Sequence, residues 1–326
     1  SCHCIFSIPI CRIHQWNKSS GGWRQASMSL IEKTQPIQTP YSKLTSLSAD
    51  YIREKMELFL SEDKSNDDIT TFTTISEKVK MKAKIITEED CVVAGISFLK
   101  SCFPDEITVE EKIKDGQYAQ KSEVLATCRG SARTILSRER VILNLLQRLC
   151  GIATLTRKYA EIGNGFNCKI LDTRKMTPGL RMFEKYAVAV GGGFNHRLDL
   201  KSAVLIKDNH LLASGGVKPA LKNISQLNGS VSIELEVDRL DQLREGLEYE
   251  INGFLLDNMT PDEIVQAIDF VKNNSMNNVF LEASGGITLE TLKEYAATGI
   301  EAISVGALTT SAKNINLKME FNKISE

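Results

Sequence analysis

Residues 190–210, VGGGFNHRLDLKSAVLIKDNH, hold two of the chain's four histidines, His196 and His210, with Arg197 and Lys207 between them. Three kinds of chemistry compete for this stretch. The glycines could open a dinucleotide loop, the histidines could share a metal, or the cations could grip a multiply charged anion. The dinucleotide loop lacks its third spaced glycine and follows a helical pattern, FEKYAVAV, where a strand is needed. The two histidines stand 14 residues apart with no cysteine partner, which gives a transition metal little to hold. The anion reading gains from its neighbours. Residues 170–210 carry seven cations, Arg174, Lys175, Arg181, Lys185, Arg197, Lys201 and Lys207, against four acids. Arginine binds carboxylate or phosphate through a planar fork, and lysine acts as a point charge. Arg174 or Lys175, Arg197 and Lys207 could converge with His196 on a small ligand bearing several carboxylates or phosphates. Arg181, Lys185 and Lys201 read as solvated charged surface.

The acids come separately. In SIELEV, Glu234 and Glu236 share a strand face. Buried carboxylates need cations or a metal. Glu236 with Asp257 could hold Mg²⁺, which takes carboxylates together with substrate phosphates. For Glu234 a salt bridge to Lys207 or Lys175 is an equal alternative. EASGGI and SVGAL follow. Their Gly285, Gly286 and Gly306 leave backbone amides open to an oxyanion, and Ser284 adds a hydroxyl.

These residues need a frame that gathers them. Short apolar segments begin near residues 168, 203, 232, 253, 279 and 302, with helical patterns between. Such repeats mean a parallel sheet. Polar residues at the last positions of strand after strand suit a barrel with its site at the carboxyl face. Six clear strands predict a barrel of fewer than eight. TPDEIVQAIDFV predicts a helix opened by a Thr260–Glu263 capping box with Pro261 at its first position. Residues 46–150 read as a mixed α+β unit. Within it come a helix over 49–60, a polar loop at NDDITTFTTI and a strand KVKMKAKIIT with a lysine face. Asp115-Gly116 then reads as a hairpin turn, and a helix follows over 139–149.

Composition limits the partners. The chain has 326 residues, 42% apolar, with net charge −1. There is no general basic excess for nucleic acid, and no apolar run of the roughly 18 residues that a membrane span needs. Eight cysteines form no CxxC pair, and Cys91, Cys102, Cys128, Cys150 and Cys168 read as buried reduced thiols of an intracellular protein. A zinc site among the cysteines and histidines of residues 1–14 lacks a second ligand pair. Residues 1–31 hold no acid but carry Arg12, Lys18 and Arg24 among serines, which suits an organellar transit peptide as well as a plain tail. The expected compartment is the cytoplasm, or a mitochondrion or plastid if this stretch is a targeting signal.

Several long motifs, taken in order, resemble one family. RERVILNLLQRLCGIATLT, ILDTRKMTPGLRMFEKYAV, GGGFNHRLDLKSAVLIKDNH, ELEV, LLDNM, LEASGGI and SVGAL are similar to the quinolinate phosphoribosyltransferases, over roughly residues 48–326. The resemblance implies an N-terminal α/β sandwich domain (46–150, with 309–326 returning to it) and an incomplete TIM-like (β/α) barrel (151–308), the type II phosphoribosyltransferase fold. Residues 1–45 would be an extension. It implies a homodimer whose site is shared across the interface, with assembly above the dimer left open. Arg140 would reach quinolinate in the other subunit. Thr173, Arg174, Lys175, His196, Arg197 and Lys207 would line the pocket for its carboxylates and the diphosphate of phosphoribosyl pyrophosphate. Glu236 and Asp257 would take the ribose hydroxyls and Mg²⁺. Ser284, Gly285, Gly286, Gly306 and Ala307 would hold the 5-phosphate. Lys175, Lys207, Glu236 and Asp257 would carry the catalysis. Met176, Asp199 and Thr310 depart from the family's usual residues, and none removes a charge from that pocket.

Overall fold

The computed structural model describes residues 41–224, 231–275 and 279–323. Twelve strands run through them: β1 Lys80–Thr87, β2 Cys91–Val92, β3 Thr108–Glu111, β4 Tyr118–Ala119, β5 Val124–Ser131, β6 Lys169–Leu171, β7 Val204–Ile206, β8 Ile233–Val237, β9 Gly253–Asp257, β10 Phe280–Ser284, β11 Ala302–Ser304 and β12 Leu317–Lys323. They form an antiparallel sheet in the order β12-β1-β5-β3, a small β2-β4 pair, and a six-stranded parallel sheet in the order β6-β11-β10-β9-β8-β7.

The second order is that of a barrel opened between β6 and β7. Consecutive strands β7 to β11 lie side by side, and β6 closes on β11. At the open edge β6 continues through single bridges, Leu171 to Phe194 in parallel and Asn195 to Ser42 antiparallel. Four of the five residues of β9, GFLLD, are buried, as a parallel strand covered on both faces requires. The helix Pro261–Asn274 begins as its sequence dictates. Thr260 caps it, Glu263 returns the bond, and Ile264, Ala267, Ile268 and Val271 face the core.

The 33-residue helix Ala132–Asn164 runs beyond the 139–149 pattern at both ends. It packs against β2, β5, β6 and β12, so it ties the two main sheets together. Its partners bury its apolar stripe, and tertiary packing of this kind decides helix length more than local pattern does.

Three other expectations are corrected. NDDITTFTTI is not a loop: Asp68 accepts from Thr71 N at 3.0 Å and caps a short helix, Ile69–Thr74. Asp115-Gly116 joins no hairpin, because β3 pairs with β5 and β4 with β2. The Asp115 carboxylate accepts instead from Ile96 N at 2.9 Å, Ser97 Oγ at 2.7 Å and Tyr186 OH at 2.6 Å. Residues 41–45 belong to the folded body, not to an extension. Tyr41 is buried, and Leu44 N donates to Asn195 Oδ1 at 2.7 Å. The transit-peptide and zinc readings of residues 1–31 lie outside the described residues.

Cys91, Cys102, Cys128, Cys150 and Cys168 are all free and buried. Burial pushes the thiols of Cys102, Cys128 and Cys168 up to about 12. At pH 8 the folded protein should therefore leave these three unmodified by a maleimide until denaturant is added. Peptide mass mapping before and after unfolding checks this, and fast native labelling of any of them would contradict it. Among the described residues, no helix is long and apolar enough to cross a membrane.

Candidate active site at the carboxyl ends of the parallel strands

Each parallel strand ends in the residues that the sequence singles out. β6 runs into Thr173, Arg174 and Lys175, and β7 into Lys207. β8 carries Glu234 and Glu236, β9 ends at Asp257, β10 at Ser284 before Gly285 and Gly286, and β11 leads to Gly306. One mouth thus collects residues spread over more than 130 positions of sequence.

Lys207 Nζ donates to Glu236 Oε2, and the two form an ion pair. Burial and the nearby Arg174 guanidinium hold the Arg197 pKa down, while Glu234, Asp199 and Glu236 pull it up, so Arg197 lies within electrostatic reach of Arg174 and of both glutamates. Arg174 Nε is buried with no hydrogen-bond partner in the protein, although a fork of this kind needs an acceptor. Arg197 Nη1 donates to Ala203 O at 3.0 Å, which aims it along the loop before β7. Lys175 is exposed. Thr173 Oγ1 accepts from its amide at 3.0 Å, and Thr309 Oγ1 donates to its carbonyl at 2.7 Å. A Cβ placed on Gly306 would lie 3.2 Å from Lys175 Cδ, so that glycine lets the lysine stem pass.

The loop after β10 packs on the loop after β9. Gly285 has φ +96°, and a Cβ there would come within 2.3 Å of Asn258 Oδ1. Only glycine fits both conditions. Asn258 in turn donates to Asp257 Oδ2 at 2.7 Å. Gly286 faces open space and is exposed, as an oxyanion loop requires.

Beneath the mouth lies a buried layer. Glu282 is fully buried and accepts from Tyr41 OH at 2.8 Å. His196 Nε2 stands 3.2 Å from Glu234 Oε2 and 3.6 Å from Glu282 Oε2, close enough to pair but aligned with neither for a hydrogen bond. Its Nδ1 accepts from Arg197 N at 2.7 Å, which fixes the Nε2–H tautomer. Burial works against a charge on His196, but Glu282 and Glu234 outweigh it and raise the ring to about 9. Taking up that second proton means giving up the Nδ1 bond. Burial raises Glu282 to about 7 against the pull of His196.

Both groups bind a proton more tightly folded than unfolded. Glu282 therefore contributes stability that is lost as pH rises from about 4.5 to about 7, and His196 stability that is lost from about 6.5 to about 9. Unfolding free energy should fall across pH 5.5–9 by at most about 5 kcal/mol from this layer. In Glu282→Gln the lower half of that slope should vanish and the upper half should shrink, because the Glu282 charge is the largest pull on His196. Urea titrations of both proteins across the range check it, and an unchanged slope would assign the dependence to other groups.

Two donor sets could hold a cation. His196, Glu234 and Glu282 present three atoms within 4.8 Å of one another, but deep in the barrel. Glu236 and Asp257 offer hard carboxylate oxygens on neighbouring strands at the open mouth, where a substrate phosphate could complete the shell. The second set fits Mg²⁺ better.

Arg140 is not at this mouth. It is exposed on the long helix, in a depression of about 520 Å³ with Phe59, Glu62, Asp63, Asn144 and Thr177. Lys185, read from sequence as solvated, is buried, and its ammonium lies 2.5 Å from Asp172 Oδ1. Its helix, Arg181–Val190, presents Phe183, Tyr186, Ala187 and Val188 to the same core, and a lysine inside that face has to find an acid. His210 accepts from Lys207 N through Nδ1 at 2.9 Å, which shapes the loop after β7. Sequence reasoning missed Tyr41, Asp172, Glu184 and Glu282. For Glu184 and Lys185 the signal was present as two adjacent charges inside an apolar run. Glu184 accepts from Arg148 at 2.9 Å and from Thr177 N at 3.0 Å, which pins the loop after β6.

Two family models match the chain: quinolinate phosphoribosyl transferase, N-terminal domain, over residues 68–150, and its C-terminal domain over residues 152–320. A probable nicotinate-nucleotide pyrophosphorylase (carboxylating) of Bacillus subtilis strain 168 is 39% identical over 282 residues, which cover 84% of this chain and 95% of that protein. A mitochondrial quinolinate phosphoribosyltransferase (decarboxylating) 2 of Nicotiana glauca is 35% identical, with 90% of each chain covered. The solved nicotinate-nucleotide pyrophosphorylase of Francisella tularensis superposes with a TM-score of 0.78 at 32% identity, covering 86% of this chain and 99% of that one.

Proposed function

The chain belongs to the quinolinate phosphoribosyl transferase family, and we propose on that premise that it transfers phosphoribosyl from phosphoribosyl pyrophosphate to quinolinate. The products are nicotinate mononucleotide, pyrophosphate and CO₂, a step of de novo NAD biosynthesis. The observation that carries this reading is the meeting of Arg174, Arg197 and Lys207 with Gly285, Gly286 and Gly306 at one strand-end mouth. A dicarboxylate needs the first group and a phosphate the second.

Arg174 and Arg197 would grip the carboxylates of quinolinate, Arg174 through the fork whose Nε lacks an acceptor. Ser284, Gly285, Gly286, Gly306 and Ala307 would hold the 5-phosphate. The ring nitrogen attacks ribose C1 as pyrophosphate departs. Lys175 and Lys207 neutralise the charge growing on the leaving group, a preorganised electrostatic contribution. Glu236 and Asp257 hold the ribose hydroxyls and favour the oxocarbenium-like centre. They would also hold Mg²⁺, which when bound supplies further charge neutralisation to the diphosphate. The quaternised ring then accepts the electrons of the C2 carboxylate bond as CO₂ leaves, and C2 takes up a proton. A spectrophotometric assay with quinolinate, phosphoribosyl pyrophosphate and Mg²⁺ tests this. Product with CO₂ release is expected, and none with nicotinate. Turnover of nicotinate alone would overturn the assignment.

The position of Arg140 supports a homodimer in which it serves the other subunit's mouth, since its own depression contains none of the strand-end cations. Arg140→Ala and Lys207→Ala subunits, each inactive alone, should then regain about a quarter of wild-type activity when mixed, because half the dimers are hybrids with one whole site. Hybrids that stay inactive would place Arg140 in its own subunit's chemistry, and Arg140→Ala that is active alone would remove it from the chemistry. The compartment proposed is the cytoplasm unless residues 1–45 act as a targeting signal, and sequencing the mature amino terminus decides between the two.

A further inference from the structure

Lys185 and Asp172 form an ion pair that is sealed from water, with side chains 1% and 0% exposed. Neither touches the mouth, and the mechanism above uses neither. Burying two charges is costly, and an apolar pair of the same volume often serves stability as well or better. Stability alone therefore does not account for the pair. Its bonds are all to the two segments that carry the arginines. Lys185 Nζ donates to Asp172 Oδ1 at 2.5 Å and to His196 O at 3.0 Å. Asp172 Oδ1 also accepts from His196 N at 2.9 Å, and its Oδ2 accepts from Asn195 Nδ2 at 2.7 Å. Asn195 Nδ2 donates as well to Lys185 O at 2.9 Å. Asp172 stands two residues before Arg174, and His196 stands directly before Arg197. The backbone of His196 is thus held at both its N–H and its C=O, from a lysine on one element and an aspartate on another.

We propose that Lys185, through Asp172 and with Asn195, is a positioning residue that sets the spacing between Arg174 and Arg197, and so the fit of the mouth to a ligand with two carboxylates. The proposal rests on the reading of quinolinate as the acceptor. Salt-bridged partners make this spacing directional, which an apolar contact between the same elements would not. The phosphate loop after β10 hangs on another strand, and the loop after β11 meets the β6 end through Val305 N to Leu171 O at 2.9 Å and Thr309 Oγ1 to Lys175 O at 2.7 Å, with no bond to Lys185, Asp172 or Asn195 among the described residues.

The test compares wild type, K185M and the doubly neutral K185M/D172N by melting temperature and by KM for each substrate. The double variant should melt cooperatively. Its kcat/KM for quinolinate should fall about ten- to a hundredfold through KM, with the KM for phosphoribosyl pyrophosphate moving less than about twofold. If both K185M variants fail to fold, Asn195→Ser loosens Asp172 while keeping both charges, and the same split is expected. A folded variant with an unmoved quinolinate KM, or with both KM values and kcat falling together, overturns the clamp. Wild type that does not turn over quinolinate at all overturns the functional reading, and the clamp's stated purpose with it. Active wild type with an unmoved variant overturns the clamp alone.

Discussion

Replacing Lys207 by alanine is expected to cut turnover with quinolinate about a hundredfold, on the order of 3 kcal/mol of transition-state stabilisation. Lys207 follows the buried β7 directly, so its ammonium is delivered by a rigid strand end. Its partner Glu236 would remain, facing the departing diphosphate with one positive charge fewer to offset it. The loss should fall on kcat more than on KM, because the charge grows as the bond breaks. Lys201→Ala, at an exposed turn residue, serves as the matched control and should leave both parameters near wild type. Near-full activity in Lys207→Ala would remove the lysine from the chemistry.

The second large effect is on stability. Gly151 lies in the middle of the helix Ala132–Asn164, where alanine ordinarily gains about 1 kcal/mol. Here a Cβ would sit 2.1 Å from the carbonyl oxygen of Lys313. That carbonyl belongs to the segment returning to β12. Ile315 N donates to Gln147 O and Gln147 Nε2 to Leu317 O, each at 3.1 Å, so the segment cannot simply move aside. The clash outweighs the propensity gain, and Gly151→Ala should lose about 3 kcal/mol of unfolding free energy. A urea midpoint equal to or above that of wild type would show that the returning segment is loosely held.

Much of the mouth could be read in advance because its residues occupy regular positions. Lys207, Glu236, Asp257 and Ser284 stand at or just past the ends of apolar runs, and an apolar run fixes both the strand and its end. The capping box at Thr260 is likewise local. The layer below was hidden because its partners are far apart in sequence. Glu282 is the central residue of β10, where alternation gives it no special mark, and Tyr41 reaches it across 241 positions. Lys185 has the opposite problem. Charge alone marks a residue as solvated, and only its helix's burial on that side, with Asp172 waiting behind it, reverses the sign. Asp115-Gly116 misled for a related reason: a turn dipeptide specifies a bend, but pairing of the flanking strands is settled by the rest of the sheet.

Tyr41 also sets a limit on how the chain can be shortened. A protease removing residues 1–40 would break no contact among the described residues. A cut five residues later, at the boundary that composition suggests, would take away the hydroxyl that Glu282 accepts from, the Ser42 bridge to Asn195 and the bond from Leu44 to the same side chain. Maturation, or a shortened form made for expression, has a floor at residue 41. Trimming past it opens the edge of the barrel beside His196.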